Sequence, residues 1–254
     1  MYKDIGYFYQ VLPIDPVQSY TYSIFSLLLE SEIRIPDIPE TSPPKGRIPD
    51  VAIRFGTLPD HLDQLTSSGV LYEISGNAFL LKLPSIGKFL ARNGNEIILD
   101  PKPEATDEEI RLFLLGSVLG TILHQRGFLP LHGSAVQTNT GACIIIGNSA
   151  TGKSTLAASL SLKGFPLISD DLSAISLNQE GTCRIHPGIP YIKLWKDVSG
   201  IMYPGKELEK VRPQIEKYKL IPDPGMSAAT QIPVRKIILL TTKNEAGFDM
   251  FEMT

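Results

Sequence analysis

Apolar residues along the first hundred positions fall into short runs. Tyr20–Leu29 and Val51–Arg54 have strand length, and Val70–Ser75, Ala78–Leu83, Lys88–Asn93 and Glu96–Asp100 follow them. Gly76-Asn77, Ser85–Gly87 and Gly94-Asn95 separate the last four. Gly-Asn pairs between β-type runs punctuate hairpins, because both residues accept the positive φ that tight turns need. Arg34–Asp50 carries Pro36, Pro39, Pro43, Pro44 and Pro49, which exclude a central strand or a helix interior. It reads as an extended surface loop, with a partner-binding proline segment as the other reading. Residues 1–104 are thus expected to form a small, mainly antiparallel β domain.

The pattern changes near Pro101–Ala105. Thr106-x-x-Glu109 has the form of a capping box, and Leu112, Leu115, Val118, Leu119, Ile122 and Leu123 follow at helical spacing. Arg126-Gly127 is the natural stop. Leu129–Val136, Ala142–Ile146, Leu167–Ser169, Tyr191–Leu194 and Arg235–Thr241 are strand candidates, with one helix near Ser154–Leu162. Residues 105–254 therefore read as an α/β unit, and the whole chain as α/β (α+β).

Composition removes several function classes. The 254 residues are 43% hydrophobic and 20% charged, a globular balance, and the net charge of −3 supplies no basic field for a nucleic-acid backbone. Leu112–Leu123, the longest mainly apolar stretch, is far shorter than the ~20 residues of a membrane span. MYKDIGYFYQ lacks the layout of a signal peptide. Cys143 and Cys183 form no CxxC pair, which argues against a disulfide framework or structural zinc. A soluble cytoplasmic protein is expected, with no nucleic-acid or membrane partner. Cys143, on an apolar run, reads as an inert small hydrophobe.

Gly147-Asn148-Ser149-Ala150-Thr151-Gly152-Lys153-Ser154, followed by Thr155, matches G-x-x-x-x-G-K-[ST] in full. The glycines let backbone amides curl inward at phosphate oxygens, Lys153 brings a mobile cation for the β/γ phosphates, and Ser154 is placed for Mg²⁺. The flanking buried-type strand and helix are the context that this motif requires, and the helix directs its positive end at the same anion. The bland alternative is a glycine-rich turn with no ligand. Phe165-Pro-Leu-Ile-Ser-Asp170-Asp171 then delivers two adjacent carboxylates at a strand end. Strand alternation turns them different ways, one toward Mg²⁺ and one toward an acceptor. The alternative for this pair is an acidic strand end or helix cap.

His132-Gly133-Ser134-Ala135-Val136, the phosphate loop and the Leu-Ile-Ser-Asp-Asp strand together resemble the catalytic domain of HPr kinase/phosphorylase over roughly residues 128–175. The resemblance implies a phosphoenolpyruvate-carboxykinase-like domain with a mixed sheet, ATP and Mg²⁺ as cofactors, and homo-oligomers, since the parent family forms rings. It gives Asp171 the role of base toward the acceptor hydroxyl, His132 a supporting role, and Lys153 and Ser154 their phosphate and metal roles; Asp170 would help hold the metal. The family's glycine-rich segment with its Mg²⁺-binding glutamate has no counterpart: His186–Trp195 stands there, and Asp197 is the candidate replacement. That departure bears on HPr as substrate and on the reverse, phosphorolytic reaction. The β-rich front half, Leu-His-Gln-Arg-Gly (123–127) and Pro-Tyr-Ile-Lys-Leu-Trp look like the related kinases that modify ribosomally made peptides, including lasso-peptide precursor kinases.

Arg126, Arg212 and Lys217 are candidate phosphate or substrate contacts, since transfer spreads negative charge that a second cation would offset; solvated or structural charges are the alternative. Trp195, the only tryptophan, is expected to close the core, with a grip on peptide or adenine as the other reading. The expected function is an ATP-dependent kinase acting on a serine-type hydroxyl of a peptide or small protein, with residues 1–104 as a docking module. A small-molecule or carboxykinase-like enzyme, and a nucleotide-gated binding protein without turnover, remain the alternatives.

Overall fold

The computed structural model describes residues 18–212, 215–222, 228 and 230–242. In the first half, β1 (Tyr20–Ile24), β2 (Leu27–Ser31), β3 (Val51–Phe55), β4 (Ser67–Ser68), β5 (Tyr72–Ser75), β6 (Ala78–Leu83), β7 (Gly87–Arg92) and β8 (Glu96–Pro101) make one eight-stranded sheet. Its order is β1-β2-β3-β8-β7-β6-β5-β4; β2–β3 and β3–β8 are parallel and the other neighbours antiparallel. The expected single run Tyr20–Leu29 is a hairpin. Phe25 and Ser26 turn it at φ 53° and 62°, the left-handed pair that a two-residue hairpin turn demands.

The proline-rich stretch is less superficial than its composition implies. Ile33, Ile35 and Ile38 are buried, and the Ile35 amide donates to the Tyr22 hydroxyl at 2.7 Å. These isoleucines seat the start of the segment where a purely polar loop would ride on the surface, whereas Ile48 near its end is exposed.

The capping box forms as expected at Thr106 and Glu109 and opens α1 (Asp107–Phe113). A π-helical turn, Leu114–Val118, then interrupts the single predicted helix before α2 (Leu119–Gln125). Such a turn takes an extra residue, which resets the apolar face: Leu114 and Leu115 are both buried, whereas Leu112 is only half-buried. Ile110, Leu115, Val118, Leu119 and Ile122 share one buried cluster with Val51, Phe89 and Ile97 of the first sheet, and the cluster continues into Ala174, Ile189 and Tyr191.

The second half holds β9 (Leu129–Thr138), β10 (Gly141–Gly147), α3 (Lys153–Leu162), β11 (Leu167–Ser169), β12 (Leu172–Leu177), β13 (Cys183–His186), β14 (Ile192–Trp195), α4 (Lys196–Met202), β15 (Glu209–Arg212), β16 (Ile215–Leu220) and β17 (Ile232–Leu240). The pairings β9–β10, β10–β17, β17–β13, β13–β12 and β12–β9 close a ring in which only β10–β17 is parallel. β11 lies on the same edge of β9 as β12, and β14-β16-β15 form a separate small sheet. The whole is mixed α/β, with sheets dominant and few helices. No described helix is long and apolar enough to cross a membrane.

Beside that shared cluster, polar and packing contacts also carry the first half into the second. Lys219 of β16 pairs with Asp37 of the proline-rich segment at 2.5 Å. The β1–β2 tip does the same: Phe25 is fully buried, its amide donates to the Pro187 carbonyl at 2.9 Å, and the Ser26 hydroxyl lies 2.8 Å from His186 Nδ1. A Cβ built on Gly188 would stand 2.9 Å from both the Phe25 ring and Ser169 Cβ, so Gly188 is packed between the wedge and the end of β11. Phe25→Ala is expected to lower unfolding stability by about 3–5 kcal/mol, as for other buried aromatic truncations. Urea denaturation reads it, and a loss well below ~1 kcal/mol would show that the tip is not an anchor.

Candidate active site

β10 delivers the phosphate loop. Its last residue, Gly147, lies beside Leu240 of β17 at φ 148°, where a Cβ would meet the Leu240 carbonyl oxygen at 2.4 Å. Only glycine fits there. Asn148, Ser149 and Ala150 are exposed and, with Thr151, Thr241 and Thr242, line an open cleft. The Thr151 hydroxyl donates to the Asn148 carbonyl at 2.9 Å, which holds the loop's curl. α3 starts at Lys153, and its cap Gly152 makes no side-chain bond, so the amides of the first turn keep their donors for an anion. Lys153 is nearly buried; its ammonium donates to the carbonyls of Gly147 and Asn148 at 2.9 and 2.8 Å. Ser154 and Thr155 follow on the first turn and are half-buried.

Asp170 lies where three elements meet. Its Oδ1 accepts from Ser154 of α3 at 2.9 Å and from Ser134 of β9 at 2.5 Å, and its Oδ2 accepts from the Lys193 amide of β14 at 2.9 Å. It is only 5% exposed, and burial pushes its carboxyl above the usual range against the opposing pull of those three bonds. Among the described residues no basic side chain pairs with it. A buried carboxylate with donors but no cation is a costly arrangement that a metal ion would relieve. A loop serine beside an acidic strand-end residue is the pair that holds Mg²⁺ in P-loop NTPases. Among the described residues no cluster of three or more His, Cys, Asp or Glu could hold a metal. The adjacent Ser154 and Asp170 oxygens suit Mg²⁺, which takes one or two protein oxygens and fills its shell with phosphate and water.

Asp171 is turned elsewhere, for a local reason. β11 ends at Ser169, β12 starts at Leu172, and the Leu172 amide donates back to the Asp170 carbonyl at 2.9 Å. Asp171 is thus the centre of a three-residue turn at φ 71°, a strained conformation that Asp tolerates better than most. Its carboxylate is 43% exposed, with Oδ1 3.2 Å from His132 Nδ1 and Oδ2 2.8 Å from the Lys193 ammonium. His132 Nδ1 also lies 3.0 Å from the Asp171 carbonyl oxygen. Burial pushes the Asp171 carboxyl up, but Lys193, with His132 and Lys217, outweighs it and holds the group below the ordinary carboxylate range. Asp171 is therefore charged at neutral pH and open to solvent on one side.

Gly133 explains why a glycine follows His132. It faces Ile146 across the β9–β10 pairing, and a Cβ there would lie 2.6 Å from the Ile145 carbonyl oxygen. The close approach brings β9, with His132 and Ser134, up to the loop strand.

Other candidates lie elsewhere. The Arg126 guanidinium pairs with Asp50 at 3.5 Å and donates to the Gly94 carbonyl at 2.9 Å, so it fastens the end of α2 to the first sheet and not to the loop. Arg212 ends β15, and its side chain lies outside the described residues. Lys217 acts on Asp171 through its charge, while its ammonium stands 4.8 Å over the Trp195 ring. Trp195 is 47% exposed: it ends edge strand β14 on the face opposite to Ile192 and Leu194, and does not close the core. Asp197 is exposed on the first turn of α4. Cys143 is buried, which pushes its thiol up, as an inert residue requires. Lys193 was not singled out in the sequence. Its signal was the alternation Tyr191-Ile192-Lys193-Leu194-Trp195, in which Ile192 and Leu194 enter a cluster with Ala158 and Leu167 and leave Lys193 on the other face.

No protein-family model matches the chain, and neither does any curated protein. Among solved structures it is similar to the Hpr(Ser) kinase/phosphatase from Coxiella burnetii, with 15% sequence identity, 46% of this chain and 87% of that chain covered, and a TM-score of 0.26. The overlap covers less than half of this chain.

Proposed function

We propose that the chain is an ATP-dependent kinase that transfers the γ-phosphoryl group of Mg·ATP to a serine-type hydroxyl on a peptide or small protein. The observation that carries this reading is the different surroundings of the two adjacent carboxylates. Asp170 is buried on the loop serine, and Asp171 is half-buried and charged beside His132 and Lys193. The loop amides and Lys153 would bind the β and γ phosphates, with Ser154 and Asp170 holding Mg²⁺, whose charge would offset that on the phosphate oxygens. Asp171 would take the proton of the acceptor hydroxyl as its oxygen bonds to the γ-phosphorus and the bond to the β-phosphate oxygen breaks. His132, within reach of both the side chain and the carbonyl of Asp171, would hold that base in place. The finer reading is an HPr-kinase-like domain of phosphoenolpyruvate-carboxykinase type in a cytoplasmic homo-oligomer. Its acceptor would be a ribosomally made peptide precursor such as that of a lasso peptide, with residues 1–104 helping to dock it.

The two carboxylates can be told apart. Asp170→Asn is expected to raise the Mg²⁺ concentration needed for half-maximal ATP binding by about tenfold, since a hard cation loses an anionic oxygen. Calorimetric titration of ATP at stepped Mg²⁺ measures it. An unchanged Mg²⁺ requirement would remove Asp170 from the metal site.

A further inference from the structure

Lys193 touches both carboxylates by different parts of itself. Its main-chain amide donates to Asp170 Oδ2 at 2.9 Å, and its ammonium donates to Asp171 Oδ2 at 2.8 Å. The residue is held firmly: Ile192 and Leu194 on either side pack with Ala158 of the loop helix and Leu167 of the strand leading to the Asp pair. The lysine side chain is only 15% exposed, with its ammonium 5.9 Å from the centre of the Tyr191 ring. β14 is an edge strand whose partner is β16, and the Lys193 amide points away from that partner, toward Asp170.

We propose that Lys193 is a positioning residue of the phosphoryl-transfer site, clamping the metal-facing and acceptor-facing aspartates in one fixed relation. The inference rests on the function proposed above. Asp171 sits at the centre of a strained turn with one side open to solvent, so nothing in its own backbone fixes where its carboxylate points. Together with His132 on Oδ1, the ammonium on Oδ2 supplies that restraint. It comes from a strand that also bonds Asp170, so a shift of β14 moves both carboxylates together. Misplacement of a reacting group by about 1 Å costs on the order of 10²-fold in rate, which sets the scale of the effect.

Two substitutions separate the two contacts. Lys193→Met removes the ammonium and keeps the amide, whereas Lys193→Pro removes both, at an edge-strand position whose amide serves no ladder. The probes are Mg·ATP binding by calorimetry across a Mg²⁺ titration, and hydrolysis of Mg·ATP with water as acceptor. Lys193→Met is expected to bind Mg·ATP with unchanged Mg²⁺ dependence and unchanged KM, while kcat falls by roughly 10–100-fold; Lys193→Arg, which keeps a cation there, should recover most of it. Lys193→Pro should show the same rate loss together with a raised Mg²⁺ requirement. Wild-type kcat in Lys193→Met, or identical Mg²⁺ dependence in the Met and Pro variants at equal melting temperature, would overturn the clamp while leaving the kinase reading intact. Should the wild-type chain bind no Mg·ATP, the kinase reading falls and the inference with it.

Discussion

Replacing Asp171 by Asn is expected to lower phosphoryl transfer by ~10²–10⁴-fold, the usual contribution of a positioned general base. The amide is nearly the same size as the carboxylate, so the turn at φ 71° and the contacts to the loop should survive. It cannot take a proton, and that is the change the experiment reads. Binding of Mg·ATP should stay within about twofold, because Asp171 is turned away from the Ser154–Asp170 pair; the loss then falls on turnover alone. Single-turnover transfer to a serine peptide, with ATP binding measured in parallel, checks both halves. A rate loss that vanishes at high Mg²⁺ would assign Asp171 to the metal and reverse the two roles.

The second large effect concerns Lys153. Lys153→Ala is expected to remove most affinity for Mg·ATP and all detectable transfer. The ammonium is the one mobile cation inside the loop, held by the carbonyls of Gly147 and Asn148 until phosphate oxygens compete for it. A charge-assisted contact to phosphate is about twice as strong as a neutral one, and the amides that remain cannot replace it. The fold should be unaffected, since Lys153 stands at the start of α3 and Ala is the better helix former. Calorimetry with ATP and Mg²⁺, accompanied by a melting curve, measures this. Unchanged affinity and turnover would mean that the loop binds no nucleotide.

Local chemistry was legible in the sequence where short-range rules decide it. The turns at Gly76-Asn77 and Gly94-Asn95, the capping box at Thr106 and the strand–loop–helix around Lys153 all lie where spacing placed them. The two aspartates do point different ways. A turn centred on Asp171, and not simple strand alternation, separates them. What could not be read depends on distant partners. Arg126 is a helix-end fastener because Asp50 and Gly94 of the first sheet come to it. Arg212 and Lys217 lie on β15 and β16, where the neighbouring Lys219 is spent on Asp37 across the molecule. Lys193 has the same character: its strand was predicted, but nothing nearby in sequence shows that both aspartates face it.

The wedge at Phe25 also changes how the front half should be tested. The stripe Ile110–Leu123 packs on the first sheet, and the β1–β2 tip packs against Pro187 and Gly188, so cutting away residues 1–104 would uncover both. A docking role is better examined by substitutions on the exposed surface of that sheet than by truncation.

The most direct test of the central claim is transfer of a radiolabelled γ-phosphate from ATP to a serine-containing peptide in the presence of Mg²⁺. The wild-type chain should label the peptide on serine, with ADP released in step, and Lys153→Ala should label none. Tight Mg·ATP binding by the wild-type chain without peptide-dependent ADP release, or equal labelling by Lys153→Ala, would contradict the account.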